Sequence, residues 1–592
     1  MGPLSNRSDT INIDWVAPLW SLISAFECLS CLHPLAIIPR KRLDISFWEL
    51  SHAVWLSLRS IVSGAPSESI REECVQDLSR QWSSVLVVGN PISVNLILVR
   101  KKTCVPCVVF PPSDAHQGLQ RKASADVEQV APFLSVRTAF DLYLKALRLP
   151  RGSYVLSSAL TIPDMVTLFE EHGLVLVPVD LNPDTLAPEP GALESEARRL
   201  SAETSQGMGA SKKLRAVYIA HVFGAQARIR VDMKPVVEVA ARFNLLLWED
   251  CAQIFTGLQG YLGDPASDAV FFSFGTIKRA TAFGGGVARI GDRAILSAML
   301  REEAEYPAQS PVRYLQRVLK CSLLLACTTP LLFGVLVHVC GLLGVDHDKL
   351  IMKLSHGFPK NGLLKAIRHR PSVPLLQMLS WRIPRYTPED VEIRLGRCNR
   401  MLRILDRALD LAHQQRRDCP REFRIDYPER GLQVLPGTLA HKHTLWLFPV
   451  MVKGVDGEDA DCVVENLLRA GFDATRATTS LMPVNRCTIS PVASELAKCS
   501  AMMDSLVYLP LLNNIPESEW DRMGLVLASV LSRNPGVCIR DGARVDKPVQ
   551  KLQGFDTFLR FLSTGALRPD VLLLSFAWMM FVVPMLLLRW ML

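Results

Sequence analysis

The chain has 592 residues, of which 49% are hydrophobic and 21% are charged, and its net charge is +8 at pH 7. This length is compatible with several domains and a large core, and it excludes a small disulfide-stabilised scaffold. The positive charge is spread along the chain without a long basic run with interleaved aromatic residues, so nucleic-acid binding has little support. The 15 cysteines are scattered, which favours a reduced, intracellular setting.

Residues 1–124 form an N-terminal extension that is partly apolar, rich in proline and irregular in pattern. Two C-x-x-C pairs occur there, at Cys28/Cys31 and Cys104/Cys107. Neither pair has partners at the spacing that a four-ligand zinc site requires, so we expect no metal site. The apolar stretch Val16–Ile38 follows acidic residues and lacks the basic start of a signal peptide.

Residues 125–300 show alternating helix and strand patterns. Ala139–Leu149 has apolar residues at helical spacing, and short apolar runs such as "SYVLSSA", "LVLVPVD", "RAVYIAHVF" and "NLLLWED" read as buried strands. Helical segments separate these strands, which predicts an α/β fold with a mainly parallel sheet covered by helices.

Three further regions follow. Residues 301–440 are predicted to be a helical connecting region with an apolar insertion at Cys321–Val345. Residues 441–535 return to a mixed pattern, which predicts a smaller α+β domain, and residues 536–592 form a tail.

The tail contains the segment Val571–Leu588, which has no charged residue. Its 18 residues are close to the lower limit for a membrane-spanning helix, and they rise about 27 Å at 1.5 Å per residue. We therefore expect a C-terminal membrane anchor with the catalytic domain in the cytosol, and a thin membrane such as that of the endoplasmic reticulum fits this length. The alternative is a terminal helix packed against Cys321–Val345 in a soluble protein.

Polar residues converge at one predicted rim of the sheet, where the stretch Val270–Ile290 reads "VFFSFGTIKRATAFGGGVARI". Asp250 ends one strand, Ser273 lies near the end of the next, and Lys278 follows in the loop before the glycines 284–286. Ligands of such sheets bind at the carboxyl ends of the strands. A lysine, a carboxylate and a hydroxyl are what pyridoxal phosphate needs for its Schiff base, its ring nitrogen and its phosphate.

Each of these residues also has an ordinary structural interpretation. A single lysine in a loop is usually a solvated charge, an aspartate at a strand end is often a helix cap, and three glycines can serve only a turn. The combination is what favours a cofactor site.

Five segments resemble the DegT/StrS family of pyridoxal phosphate-dependent sugar aminotransferases, in the order and spacing of that family. They are "LLLWEDCAQIFTG", "GYLGD" and "DAVFFSFGTIKRATAFGGGVARI", with "AVYIAHVFGAQARI" upstream and "HTLWLFPVMV" downstream. The likeness covers about residues 135–530 and implies the fold-type I architecture.

The resemblance also implies roles for single residues. Lys278 would form the Schiff base and shuttle a proton, Asp250 would hold the ring nitrogen, and Gln253 would bond to the phenolic oxygen. Ser273 would bind the phosphate, together with the backbone amides of Arg137 and Thr138 at a helix start. The chain departs from the family at Val136, where a glycine is usual, and at Ile162, where many members place an aromatic ring. The glycine cluster also lacks the acidic residue of members that read G-E-G-G.

The implied reaction is transfer of an amino group, from glutamate, to a keto-sugar nucleotide or related ketone by a homodimeric enzyme. Two alternatives stay open at this point. One is a pyridoxal phosphate-dependent sugar dehydratase, which would lack or replace the lysine. The other is a catalytically altered, membrane-associated relative that keeps the fold.

Overall fold

The computed structural model describes 15 separate stretches of the chain. These are residues 35–40, 43–64, 68–88, 129–205, 213–224, 233–355, 358, 362–387, 389–417, 436–437, 444–452, 458–476, 480–486, 496–512 and 515–531. The predicted tail helix 571–588 and both C-x-x-C pairs lie outside the described residues.

A seven-stranded sheet is the centre of the fold. Its spatial order is β1-β10-β9-β8-β7-β2-β4. The strands are β1 (Val130–Phe133), β2 (Tyr154–Ser158), β4 (Val175–Val179), β7 (Leu214–Ala220), β8 (Leu246–Asp250), β9 (Ala269–Ser273) and β10 (Gly286–Ile290). Pairing from β4 through β2, β7 and β8 to β9 is parallel, whereas β10 and β1 add an antiparallel edge. The predicted mainly parallel α/β fold is confirmed. Three short strands, β3 (Leu160–Thr161), β5 (Leu181–Asn182) and β6 (Ala187–Pro188), lie outside this sheet.

Helices cover both faces of the sheet, because its strands carry apolar side chains on both sides. One face holds an aromatic cluster in which Phe140, Phe169, Trp248 and Phe271 meet mostly edge to face. The other face buries Phe272 and Trp82. The family-like segment contributes the helices α3 (Val136–Leu147), α4 (Pro163–Glu171), α5 (Pro190–Ser205), α6 (Lys234–Arg242) and α7 (Arg293–Ala304).

Two helices occupy part of the N-terminal region that the sequence pattern described as irregular. They are α1 (Phe47–Val62) and α2 (Glu68–Val88). α1 begins with a capping box, in which Ser46 Oγ accepts from Glu49 N and the Glu49 carboxylate accepts from Ser46 N. Trp82 of α2 is fully buried beneath the sheet. The prediction of an irregular extension is therefore wrong for residues 47–88.

The predicted helical region follows the sheet. It comprises α8 (Pro311–Cys327), α9 (Pro330–Leu342), α10 (His347–Ser355), α11 (Leu363–Ile367), α12 (Val373–Arg382) and α13 (Glu389–Arg417). The apolar stretch Cys321–Val345 is divided between α8 and α9, because Thr328 ends one helix and Pro330 opens the next. No single described helix is long and apolar enough to cross a membrane; α8 and α9, bent by 91°, meet that criterion only as a pair.

The smaller α+β unit is built on two antiparallel strands, β11 (Phe448–Met451) and β13 (Leu506–Leu509). Around them pack α14 (Glu458–Arg469), α15 (Ala497–Ser505) and α16 (Glu517–Leu531), and the short strand β12 (Met482–Pro483) pairs with β3 of the large unit. Trp520 and Met523 of α16 are buried in its core.

Candidate active site

The predicted rim is assembled by the parallel strands β8 and β9. Asp250 is the last residue of β8 and pairs in register with Phe271 of β9. Ser273 is the last residue of β9, and Lys278 follows in the next loop. Because the two strands are parallel, their carboxyl ends meet at one edge.

The carboxylate of Asp250 is fixed by two donors. Its Oδ1 accepts from Ala252 N at 2.9 Å, and its Oδ2 accepts from the Tyr218 hydroxyl at 2.9 Å. Burial raises the pKa of Tyr218, so this hydroxyl stays protonated and acts as a donor. Within the described part of the chain, Asp250 forms no ion pair, which leaves the carboxylate available for a cation in the site.

The amine of Lys278 is half-buried and has no hydrogen-bond acceptor or ion-pair partner in the described ranges. The Trp446 indole lies beside it, with its ring centroid 4.3 Å from Nζ. Burial lowers the pKa of Lys278 to about 8; the charge of Arg137 adds to the fall and that of Asp250 opposes it. A lysine with this pKa supplies the uncharged amine at neutral pH far more readily than an exposed lysine.

The first turn of α3 lies at the same edge. Ser135 caps the helix, and its Oγ accepts from Thr138 N at 3.1 Å. The Thr138 hydroxyl donates to Ile367 O at 2.9 Å, so neither the amide nor the hydroxyl of Thr138 is free for a ligand. The amides of Val136 and Arg137 are the ones that this helix start offers to an anion.

Arg137 contributes its side chain as well. Its Nε lies 2.5 Å from Asp164 Oδ2, and its guanidinium stacks over Phe358 at 5.5 Å. The positive charge of Arg137 also lowers the pKa of Lys278. The sequence reading gave Arg137 only a backbone role; a cation at the helix start strengthens the site for an anion.

Two more predicted residues keep free hydrogen-bonding groups. Gln253 Oε1 accepts from Phe223 N at 2.7 Å, which leaves its amide NH₂ to donate. The half-buried Ser273 hydroxyl lies 3.5 Å from Gly275 N, a contact too long to occupy it strongly.

The three glycines are needed for close packing. A Cβ on Gly286 would lie 2.6 Å from Val136 N, so glycine lets β10 touch the start of α3. Gly285 has φ 88°, and a Cβ there would meet Leu379 of α12 at 2.8 Å. A Cβ on Gly284 would meet Arg317 of α8 at 2.6 Å.

Sequence reasoning missed Trp446 and Tyr218. Trp446 Nε1 donates to Ile277 O at 3.1 Å, beside Lys278, but it lies far along the chain and no spacing rule links the two. Tyr218 stands in the predicted strand "AVYIAHVF", and only the pairing of β7 with β8 reveals that its hydroxyl reaches Asp250. Ile162, which stands where many family members place an aromatic ring, is the N-cap residue of α4.

Behind Asp250, the carboxylate of Glu249 is fully buried and holds the following loop in place. Its oxygens accept from His221, Tyr261 and Ser267 side chains and from Asp264 N, at 2.5–2.8 Å. His221, Glu249 and Cys251 have ligand-type atoms close together, but the donors already engage the Glu249 oxygens. The cluster is a hydrogen-bond network that fixes the loop after β8.

This donor set fits pyridoxal phosphate. Two helix-start amides and a guanidinium suit a phosphate, the free Gln253 NH₂ suits a phenolate oxygen, and the unpaired Asp250 carboxylate suits a protonated ring nitrogen. Among the residues that the structure describes, no acceptor competes for the Lys278 amine.

Comparison with known proteins agrees with the geometry. Residues 123–303 match the model of the DegT/DnrJ/EryC1/StrS aminotransferase family. The resemblance is confirmed for this segment. Enzymes of this family depend on pyridoxal phosphate. Comparison with curated proteins found no match.

Solved structures with a similar fold include the aminotransferase TlmJ of Streptoalloteichus hindustanus, at 14% identity over 84% of this chain and 98% of that chain, with a TM-score of 0.47. NtdA of Bacillus subtilis, with bound PMP, is 16% identical over 83% of each chain, with a TM-score of 0.43. The E. coli GDP-4-keto-6-deoxy-D-mannose-3-dehydratase, with bound hydrated PLP, is 15% identical over 67% of this chain and 87% of that chain, with a TM-score of 0.39.

Proposed function

We propose that the protein is a pyridoxal phosphate-dependent aminotransferase that uses Lys278 as its covalent residue. The observation that carries the proposal is that, among the described residues, the half-buried Lys278 amine has no acceptor and the Asp250 carboxylate on the same rim has no ion-pair partner. When bound, the cofactor supplies an electron sink for the carbon that gains or loses the amino group.

The residues of this chain have separate tasks in that reaction. Asp250, fixed by Tyr218 and Ala252, holds a proton on the ring nitrogen. Gln253 donates to the phenolic oxygen, and Arg137 with the α3 amides orients the phosphate. Lys278 Nζ, with a pKa of about 8, accepts and returns a proton at the reacting carbon.

For the substrates, we propose glutamate as amino donor and a keto-sugar nucleotide or related ketone as acceptor. The support is the family resemblance and the order of its segments. The presence of Lys278 favours this reaction over the sugar dehydratase, which would lack or replace the lysine. A catalytically altered relative is distinguished by the experiment below.

The experiment is an absorbance spectrum of the purified protein before and after glutamate, with borohydride reduction of a separate sample that has not received glutamate. We expect a visible cofactor band that glutamate bleaches, and reduction should fix the cofactor on Lys278. Lys278→Ala should lower turnover by roughly 10³-fold or more. Lys234→Ala, which removes an exposed lysine, is the control. Cofactor fixed on another lysine, or on none, contradicts the proposal; a band that glutamate leaves unchanged indicates the altered relative.

We further propose that the enzyme is a homodimer and that residues 571–588 anchor it in a membrane. The support for the dimer is the family resemblance, and the support for the anchor is the uncharged sequence of that segment. Deleting all residues after Asp570 should release the protein from the membrane fraction. Full-length protein that is soluble without detergent, or a truncated form that stays membrane-bound, refutes the anchor.

A further inference from the structure

A segment outside the family-like residues reaches the loop of Lys278. We call residues 35–40 and 43–45 the N-terminal strap. This strap precedes α1 and lies well before residue 123, where the match to the family model begins.

The first half of the strap joins the helical region to the smaller unit. Ile37 N donates to Pro330 O at 3.1 Å, at the start of α9. Ile38 N donates to Gly471 O at 2.8 Å. Arg40 forms buried ion pairs with Asp473, at 3.0 Å, and with Asp348 of α10. The strap is thus fixed at its outer end by both units.

The second half of the strap reaches the candidate active site. Asp44 Oδ2 accepts from Ala280 N at 2.9 Å, two residues beyond Lys278. Asp44 O accepts from Arg382 at 2.5 Å, and Arg382 also pairs with Glu49 of α1. Asp44 is therefore held from two sides while it holds the loop.

Ala280 needs such a partner. It is fully buried, and its φ of 48° lies in the left-handed region that disfavours alanine. A buried amide without an acceptor is costly, so the hydrogen bond to Asp44 compensates for a strained, desolvated backbone. The Asp44 charge also affects Tyr386. Burial raises the pKa of Tyr386 to about 12, and the charge of Asp44 adds to this rise while that of Arg279 opposes it.

The residues on both sides of Lys278 are tied to other parts of the chain. Ile277 O accepts from Trp446, and the Arg279 guanidinium donates to Thr444 O. Asp44 fixes Ala280 as described. The loop around Lys278 is thus anchored at three points, whereas no acceptor in the described ranges binds the Lys278 amine.

We propose that Asp44 is a positioning residue that holds the Lys278 loop so that the amine faces the Asp250 carboxylate. The proposal rests on the proposed function only in naming Lys278 as the covalent residue. No step of the reaction is assigned to Asp44 itself.

The first measurement is the affinity of the cofactor-free, full-length protein for pyridoxal phosphate. Asp44→Ala should weaken binding roughly tenfold or more, because the acceptor for a buried amide is lost. Asp44→Asn keeps an acceptor oxygen and should stay within roughly threefold of the wild type. Asp292→Ala is the matched control, since Asp292 accepts from the backbone amide of Ala294 at the exposed start of α7. Equal losses in D44A and D292A, or no loss in D44A, overturn the proposal.

The second measurement needs no cofactor. Acetylation of the Lys278 amine by acetic anhydride is followed against pH by mass spectrometry in the cofactor-free protein. In the wild type, the midpoint should lie near the pKa of about 8, set by burial with Arg137 and Asp250 nearby. In D44A, a loosened loop should admit water and move the midpoint toward 10.5, whereas D44N should leave it unchanged.

The two measurements separate the two proposals. A shifted midpoint in D44A, in a protein that binds no pyridoxal phosphate, keeps the positioning role and refutes the proposed function. An unshifted midpoint refutes the positioning role whatever the cofactor does. If D44A does not fold, as judged by its thermal transition, the double variant Asp44→Ala/Ala280→Gly relieves the left-handed strain and should show the same losses.

Discussion

The family-like segment 123–303 and the N-terminal strap contribute to the same loop in different ways. The segment supplies the chemical groups, Lys278, Asp250 and Ser273, at spacings that can be recognised in the sequence. The strap supplies one hydrogen bond, from Ala280 to Asp44, and a set of buried ion pairs around Arg40. Reactive groups are thus concentrated in one region, whereas the residues that hold them in place come from distant parts of the chain.

The residues that hold the lysine loop and the glycines in place are therefore not confined to the segment that matches the family model. Gly284 and Gly285 pack on Arg317 and Leu379, which both lie beyond residue 303. Variants in both regions can show whether the strap contributes as much to stability as the sheet does, and whether the residues that act in the reaction all lie at the sheet.

The largest effect on stability is expected at two buried clusters, one in each region: the Arg40–Asp473 ion pair and the hydrogen-bond network of Glu249. Removing one partner of a buried ion pair or of a buried hydrogen-bond network costs about 3–5 kcal/mol. Arg40→Ala, which removes the guanidinium from Asp473, and Glu249→Ala, which removes the acceptor of four hydrogen bonds, should each lower the free energy of unfolding by about that amount. Urea denaturation measures both.

The matched control for these two variants is Arg199→Ala, which breaks an exposed pair with Glu196 and should change stability by about 0.5 kcal/mol or less. An Arg40→Ala variant as stable as this control would show that the strap is a dispensable attachment.

Asp250→Asn tests the chemistry of the family-like segment. The amide keeps the hydrogen bonds from Ala252 and Tyr218 in part but cannot hold a proton on the ring nitrogen. Turnover should fall by roughly 10²-fold or more, while some cofactor binding and the free energy of unfolding are retained. Steady-state kinetics and cofactor titration separate the two effects, and near-normal turnover would remove Asp250 from the mechanism.

The pH dependence of stability should reveal Lys278. Its folded pKa of about 8 lies below the unfolded value of 10.5, so the unfolded chain binds more protons between these two values. The penalty of burying the charged amine is complete below pH 8 and is relieved as the pH rises toward 10.5. In cofactor-free protein, the stability advantage of Lys278→Met over the wild type should therefore shrink by about 2 kcal/mol between pH 7 and pH 10. A constant difference would show that the lysine is solvated.

The smallest effect is expected at the cap of α1. Ser46→Ala removes one half of the capping box and should cost about 1 kcal/mol of stability, measured as a lower urea midpoint. Because the Ser46 hydroxyl bonds to Glu49 N within α1, cofactor affinity should not change. A lower affinity would mean that α1 and Asp44 respond as one unit.

Much of the fold could be predicted from the sequence, because the sheet strands are short, apolar and separated by helical patterns. Lys278, Asp250 and Ser273 were identified by their positions near the ends of predicted strands, and Gln253 by the family resemblance; within the described part of the chain, each keeps a group that can bind a ligand. Val136 and Arg137 occupy the predicted helix start, but Thr138 does not offer its amide, because Ser135 already accepts from it.

The remaining features depend on contacts between residues far apart in the chain. Trp446 of the smaller unit contacts Lys278 of the large unit, and Asp44 of the N-terminal strap accepts a hydrogen bond from Ala280. The helix α1 carried a readable signal in Ser46 and Glu49, but the surrounding prolines and the lack of regular strands led to the prediction of an irregular extension. Local pattern therefore pointed to candidate reactive groups but not to the distant residues that hold their loop in place.

The hydroxyl of Thr138, bonded to Ile367 O, has a consequence for how this protein can be divided or recombined. The start of α3, whose amides can bind an anion, is held by Ile367 far downstream in the chain. Ala280 is held in the same way by Asp44 far upstream. A fragment limited to the family-matching residues would therefore expose apolar surface and lose both braces. For the same reason, a chimaera that exchanges this segment between relatives requires crossover points before Leu35 and after Asp473, because Thr444 and Trp446 hold the lysine loop and Asp473 holds the strap. The part of the chain that must be exchanged as a whole is therefore larger than residues 123–303, which match the family model.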